Sequence, residues 1–289
     1  MISHDEDDTQ NIPVVSPDPR ATGQHEAAWG IDKGKVRETN EDSLAAVTLN
    51  EVDQSGEKAI GVFAVADGMG GHAAGEVASK IAIRTAIRKL VAEVTRPDDE
   101  MPEDYSNWLE SAVQLANKMV RKEASQTGHN MGTTLVLAVM VGREVHVANV
   151  GDSRAYLITS EGIRRITHDH SFVQTLVDGG NITPEEAAKH PYRNVLTQAI
   201  GSEEEIKVDV FDETLDEDAS LLLCSDGLWE MLGERQIYQI VRDANSPHEA
   251  CQSLIDASNA AGGLDNIAAV LVRLSPETSQ QDNAAAAVS

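Results

Sequence analysis

The chain has 289 residues, a formal net charge of −25, and 41% hydrophobic residues of which few are aromatic. That is enough for one large domain cored by Val, Leu, Ile and Ala. The acidic balance argues against nucleic acid or anionic membrane as a partner, since Lys and Arg must neutralise phosphates there, and the two cysteines, Cys224 and Cys251, imply no disulfide framework.

Residues 1–24 are polar and acidic, with Asp5-Glu6-Asp7-Asp8 followed by Ser and Pro, and read as a disordered tail. They contain no apolar signal core. No run in the chain approaches the ~20 apolar residues of a membrane span, so the expected setting is cytoplasmic, without membrane contact. The folded domain is expected over 25–274. Trp29 to Ser43 mixes glycines, Arg37 and the acids Glu41 and Asp42, which suits a functional loop and equally a surface loop with a solvated Arg.

Leu44 to Thr48 reads as a short strand, and Asn50 to Lys58 as a polar turn. Val62 to Ala66 has the composition of a buried strand. It runs into Asp67-Gly68-Met69-Gly70-Gly71-His72, a lone carboxylate followed by three glycines in four positions. An acid at the tip of a buried strand is costly unless a cation or strong donors meet it, and glycines let backbone carbonyls and N–H groups approach a bound ion. Taken alone, the stretch also fits a glycine turn with a solvated Asp.

Ala73 to Val94 reads as a long helix with Val77, Ile81, Ile83, Ile87, Leu90, Val91 and Val94 on one arc. A second helix follows around 108–120. Leu135–Val141, Glu144–Val150, Arg154–Ile158 and Gly162–Thr167 read as short strands joined by hairpin turns. Gly151-Asp152-Ser153 lies between two of them, and Asp152 fits a turn acid as well as a functional one. Residues 171–202 form an irregular, partly helical insertion with a capping box at Thr183-Pro184-Glu185-Glu186, a candidate flap. Glu203 to Asp218 is acidic and expected at the surface. The apolar run into Asp226-Gly227 and the run that follows Asp265-Asn266 repeat the strand-end carboxylate of Asp67. Three such acids can converge at one sheet end, as hard divalent cations require. Cys224 sits in one of these runs and reads as a small core residue. Helices are expected around 236–241 and from Ser246 to about Ala260, and 275–289 reads as a flexible tail. The pattern specifies an α+β layered domain.

Seven landmarks stand in one order: Arg37 with Asn40-Glu41-Asp42; Asp67 to His72; Gly132-Thr133-Thr134; Gly151-Asp152-Ser153-Arg154; Thr167-His168-Asp169-His170; Cys224-Ser225-Asp226-Gly227; and Asp265-Asn266. Over roughly residues 27–273 the chain resembles the metal-dependent protein phosphatases of type 2C, in their bacterial branch. The resemblance implies two antiparallel sheets packed as a sandwich with helices on both outer faces. It implies a dinuclear manganese or magnesium site whose bridging water attacks phosphoserine or phosphothreonine. By that analogy Asp67 bridges the two metals, Asp226 and Asp265 complete one, and the Gly68 carbonyl binds the other, with Glu41 and Asp42 acting through waters. Asp169 with Asp226 would hold a third metal, and Arg37 would clamp the phosphate. The implied partners are phosphorylated proteins and a cognate Ser/Thr kinase, and the implied state is a monomer. A scaffold that binds phosphoproteins without hydrolysing them and a small-molecule phosphomonoesterase are the competing functions. Met69 stands where many eukaryotic members carry a His assigned as general acid, which leaves bound water or His72 to protonate the leaving group. His168 and His170 are candidates for orienting the site; the other histidines read as structural or surface.

Overall fold

Strict alternation along the central strands decides the architecture, because successive side chains leave a strand on opposite faces. The computed structural model describes residues 14–15, 25–53, 56–71, 73–96, 104–216 and 218–274, with backbone alone for 14–15, 51–53 and 56–58. In chain order the elements are β1 (Val14–Val15), β2 (His25–Asp32), β3 (Ser43–Asp53), β4 (Gly56–Ala66), β5 (Gly68–Met69), α1 (Ala73–Val94), α2 (Tyr105–Thr127), β6 (Gly132–Thr133), β7 (Leu135–Val141), β8 (Glu144–Val150), β9 (Arg154–Ile158), β10 (Ile163–Arg165), α3 (Phe172–Asp178), α4 (Pro184–Ala187), β11 (Asp209–Thr214), β12 (Ser220–Cys224), α5 (Asp226–Trp229), α6 (Glu234–Asp243), α7 (Pro247–Ala260) and β13 (Ile267–Leu274).

One sheet has the order β1-β2-β13-β12-β9-β10 and the other β11-β8-β7-β4-β3, and the pairing in both is antiparallel. On β4, Phe63 and Val65 point into the layer between the sheets, where they meet Leu221, Leu223, Val270 and Val272. The intervening Val62, Ala64 and Ala66 pack outward against α1 and α2. On the far side Leu222, Cys224, Ala269 and Leu271 pack under α6 and α7. The layers therefore run helix, sheet, sheet, helix, as the resemblance implies. Cys224 and Cys251 are free and buried, as expected for Cys224. Among the described residues no helix is long and apolar enough to cross a membrane.

Several expectations change in detail. The presumed turn at 50–58 is mostly strand: β3 and β4 continue pairing out to Asp53 and Gly56. The acidic stretch before Asp218 contributes β11, an edge strand on β8, because Val210 and Phe211 supply packing that composition alone hides. Within the expected tail, Val14–Val15 pairs with β2 opposite Ile31 and Gly30; the rest of 1–24 and all of 275–289 lie outside the described residues. The core face of α1 is rotated from the predicted arc. Ala78, Ser79, Ala82 and Ala86 are fully buried there beside Ile83 and Leu90, whereas Val77 is exposed. Small residues win that face because α1 is pressed between the sheet and α2, and short side chains permit the close approach.

Phe63 is fully buried in the layer between the sheets. Phe63→Ala is expected to cost about 3–5 kcal/mol, read as a lower urea midpoint at unchanged m-value. A loss below about 1 kcal/mol would mean that the two sheets can collapse over the gap.

Candidate active site

The ends of β4, β12 and β13 bring their acids to one end of the sandwich. Asp67 follows β4, Asp226 opens α5 after β12, and Asp265 precedes β13. They line a cleft of about 480 Å³ with Arg37, Glu41, Gly68 and Met69. Asp42 is buried just behind them.

The supporting motifs hold this cluster through the backbone. The Asp67 N–H donates to Thr134 Oγ1 at 2.9 Å, the Thr134 N–H donates to the Asp67 carbonyl at 2.9 Å, and Thr133 Oγ1 donates to the same carbonyl at 2.8 Å. Thr134 Oγ1 also meets Ser153 Oγ at 2.6 Å, which ties the Gly151-Asp152-Ser153 turn to the Asp67 turn. Ser225 Oγ donates to Asp42 Oδ2 at 2.7 Å and accepts from the Ala268 N–H at 2.9 Å. Asn266 anchors the Arg37 loop at three points: its amide donates to the carbonyls of Lys33 and Thr39, each at 2.9 Å, and its Oδ1 accepts from the Glu41 N–H at 2.8 Å. Gly68 is required by space, since a Cβ there would lie 2.2 Å from the Gly75 carbonyl oxygen and 2.6 Å from that of Glu41.

Asp42, Asp67 and Asp226 are crowded together, so the charge of each disfavours ionisation of its neighbours. Burial and the charges of Asp226, Asp42 and Asp152 hold the Asp67 carboxyl well above the usual carboxylate range. Burial, followed by repulsion from Asp226 and Asp265, raises Asp42 to about 8. Burial and the neighbouring Asp265 and Glu230 raise Asp226 to about 7. The one Lys or Arg lining the cleft is Arg37, whose guanidinium donates to Asp265 Oδ2 at 2.5 Å. That bond raises the Arg37 pKa, with further help from the charges of Asp226 and Asp67.

Asp169 stands apart. It is buried against Arg154, which donates from Nε at 3.0 Å and from a terminal nitrogen at 2.6 Å, and Arg165 adds a bond at 3.0 Å. It lines a neighbouring cavity rather than this cleft. Asp152, left open between a turn acid and a functional one, lines the cleft, and burial with the charges of Asp226 and Asp169 holds its carboxyl well up. The resemblance gave the third-metal role to Asp169, but it is Asp152 that lines the cleft, since Arg154 and Arg165 hold Asp169 in the neighbouring cavity. The discriminating signal is the positive φ of Gly151, +106°, which turns the chain at Asp152, and a Cβ at Gly151 would strike Thr134 at 2.7 Å. His170 steadies the same turn: its Nδ1 accepts from the Gly151 N–H at 3.2 Å and its Nε2 meets Asp209 at 3.1 Å. His168 instead pairs with Asp178 at 2.9 Å. His72 lies outside the described residues.

The donor set fits hard divalent cations. It consists of carboxylates and a glycine carbonyl, and Oδ1 of both Asp42 and Asp226 is buried with no hydrogen-bond partner. Among the described residues no three of His, Cys, Asp or Glu stand as a ready-made ligand cluster. The acids face one another and Arg37, so a cation would supply the counter-charge that Arg37 alone provides.

A family model described as Protein phosphatase 2C matches residues 35–257. The chain is 38% identical over 251 residues to the serine/threonine phosphatase stp of Listeria monocytogenes, a match that spans 85% of this chain and 94% of that protein. The crystal structure of the Mycobacterium tuberculosis serine/threonine phosphatase PstP/Ppp superposes with a TM-score of 0.74 at 33% identity, covering 87% of this chain and 99% of the other. A structure of the PstP catalytic domain in complex with two manganese ions gives a TM-score of 0.72 at 32% identity, covering 87% and 99%.

A carboxyl that holds its proton more tightly when folded contributes stability at low pH and loses it as the pH rises through the folded value. For Asp42 the window runs from the ordinary Asp value of 3.8 up to about 8, and Asp67 and Asp152 are shifted in the same direction. The metal-free protein is expected to lose thermal stability across that window. Asp226→Asn, which removes one repelling charge, should raise the metal-free Tm at pH 8 by about 2–4 °C, the shift that ~1 kcal/mol produces in a domain of this size. Calorimetry in EDTA checks both; a Tm flat from pH 5 to 8 would contradict the crowding.

Proposed function

The chain belongs to the protein phosphatase 2C family and is a serine/threonine protein phosphatase, and on that premise we propose that it hydrolyses phosphoserine and phosphothreonine in other proteins with two divalent ions, manganese or magnesium, held at the floor of the cleft. The observation that carries this reading is the crowd of carboxyls at Asp42, Asp67, Asp226 and Asp265 beneath a lone Arg37. Asp67, Asp226, Asp265 and the Gly68 carbonyl would hold the ions, and Glu41 and Asp42 would act through waters. A third ion beside Asp226 would find Asp152 within the cleft, whereas Asp169 is already neutralised by Arg154 and Arg165.

When bound, two such ions lower the pKa of a water and hold it for in-line attack on phosphorus. The protein's own part is to aim the carboxyls, with Ser225 holding Asp42 and Thr134 the Asp67 backbone. Arg37, relieved of Asp265 once that charge is otherwise matched, offers its planar fork to two phosphate oxygens. Met69 lines the cleft but has no proton to give, which leaves bound water or His72 to protonate the serine or threonine oxygen. The substrate arises by phosphoryl transfer to Ser or Thr, so a serine/threonine kinase is the counterpart activity.

Two outcomes test the reading. Hydrolysis of a phosphothreonine peptide should vanish on chelation with EDTA and return with manganese; full turnover with no metal left by elemental analysis would overturn it. Arg37→Ala should raise KM about tenfold or more while lowering kcat less, because the phosphate is charged in both ground and transition states. A variant with unchanged KM and collapsed kcat would place Arg37 in transition-state stabilisation alone.

A further inference from the structure

A second and larger cavity, about 750 Å³, opens beside the cleft, and both of its walls are continuations of the cleft's own. On one side the flap supplies both. Asn194, Leu196 and Thr197 face the cleft, and the residue before them, Arg193, faces the second cavity with Val173, Val177 and Ala187. On the other side Asp226 opens α5 in the cleft and Trp229 closes it in the second cavity, with Asp152 common to the two. A chain segment crossing the cleft is therefore led from one space into the other without leaving the surface.

The flap holds this arrangement in place. Its two ends are zipped together at a neck: the Phe172 N–H donates to the Val195 carbonyl at 2.8 Å, and the Thr197 N–H to that of His170 at 2.8 Å. The Thr183 capping box fixes α4, which forms one wall. The floor is a closed ionic network. Arg154 lies over the Trp229 ring at 3.4 Å and donates to Asp169 and to the Tyr156 hydroxyl, and Arg165 donates to Asp169 and Gln174. These guanidiniums have carboxylate or side-chain oxygen partners already, so the floor does not call for a second phosphate. Above it the walls are apolar, and Met231 gives them the adaptability of an unbranched thioether. At the rim Arg193 is matched by Glu230 at 3.6 Å, and Glu234, exposed at the start of α6, has no ion-pair partner among the described residues, which leaves the rim an uncompensated acid.

Resting on the phosphoprotein reading above, we propose that this cavity is a subsite for the substrate polypeptide beside its phosphorylated residue. It takes an apolar side chain among Val173, Val177, Ala187, Trp229 and Met231, and favours a Lys or Arg nearby that meets Glu234. Neutral floor, apolar wall and acidic rim recognise that combination and disfavour an acidic flank.

The test is a panel of phosphothreonine peptides with alanine flanks, into which Leu and then Lys are placed at each neighbouring position, assayed with manganese beside p-nitrophenyl phosphate, which is too small to span both spaces. Leu at one side of the phosphothreonine should lower KM about tenfold, the scale of one buried apolar side chain, and a Lys near it should lower KM further in a salt-dependent way. Ala188→Trp, which fills the exposed end of the wall, should abolish the Leu preference, and Glu234→Lys the Lys preference, each judged as the ratio of kcat/KM for peptide to that for p-nitrophenyl phosphate. If Ala188→Trp loses hydrolysis of both substrates it has disturbed the fold, and Glu234→Lys then decides. Equal KM values across the panel, or preferences that survive both variants, overturn the subsite and leave the phosphatase reading standing. Hydrolysis of p-nitrophenyl phosphate with none of any peptide would overturn the phosphoprotein reading and the subsite together.

Discussion

Carboxylates withdrawn from water repel one another by about 4 kcal/mol per pair at 4 Å and an effective dielectric near 20. In this protein Asp42, Asp67 and Asp226 stand within hydrogen-bonding reach, with Asp152 and Asp265 close enough to raise them further. No fold gathers such groups for stability. The surrounding structure reads as the means of keeping them together: Ser225 and Thr134 bridge the loops that bear them, Asn266 pins the Arg37 loop at three points, and Gly68 and Gly151 stand where a side chain would collide. Arg37 is the one Lys or Arg lining the cleft to offset that repulsion.

The sandwich makes this convergence possible. Two antiparallel sheets packed face to face bury both faces of β4, β12 and β13. A polar group in the middle of any of these strands would be stranded, so the acids sit where the strands stop. Because β12 and β13 are neighbours in one sheet and β4 is an interior strand of the other, the three ends meet across the mouth of the sandwich. Of the helices, α5 carries Asp226 at its first position, and α1 supplies Gly75, which lets Gly68 and Glu41 approach each other.

The flap faces the cleft with Asn194, Leu196 and Thr197 and the neighbouring cavity with Arg193, Val173, Val177 and Ala187, so one insertion borders both spaces. Its own charge is nearly balanced, with Asp178, Glu185 and Glu186 against Lys189 and Arg193.

The strand-end acids Asp67, Asp226 and Asp265 were legible in the sequence because a lone carboxylate at the end of an apolar run violates the rule of burial; the run of strands and helices gave an α+β layered domain, and the face-to-face sheets came from the resemblance. Helix starts at Thr183 and Ser246 were legible from local capping chemistry, which depends only on residues three apart. What the sequence could not decide was long-range. Whether Asp152 or Asp169 reaches the cleft depends on which of two arginine-lined spaces each turn opens toward, and Arg154 and Arg165 settle it by neutralising Asp169. The inward face of α1 was read from its large apolar residues, of which Ile83 and Leu90 are buried, but the closest approach to the neighbouring sheet and α2 is made by Ala78, Ser79, Ala82 and Ala86, while Val77 is exposed. Composition hid β11 because an edge strand needs only a few apolar contacts once a partner strand supplies its hydrogen bonds. Periodicity and capping are local and so were determined by the sequence; partner choice among charges and the width between packed elements are set by residues far apart in the chain, and only the tertiary structure brings those together.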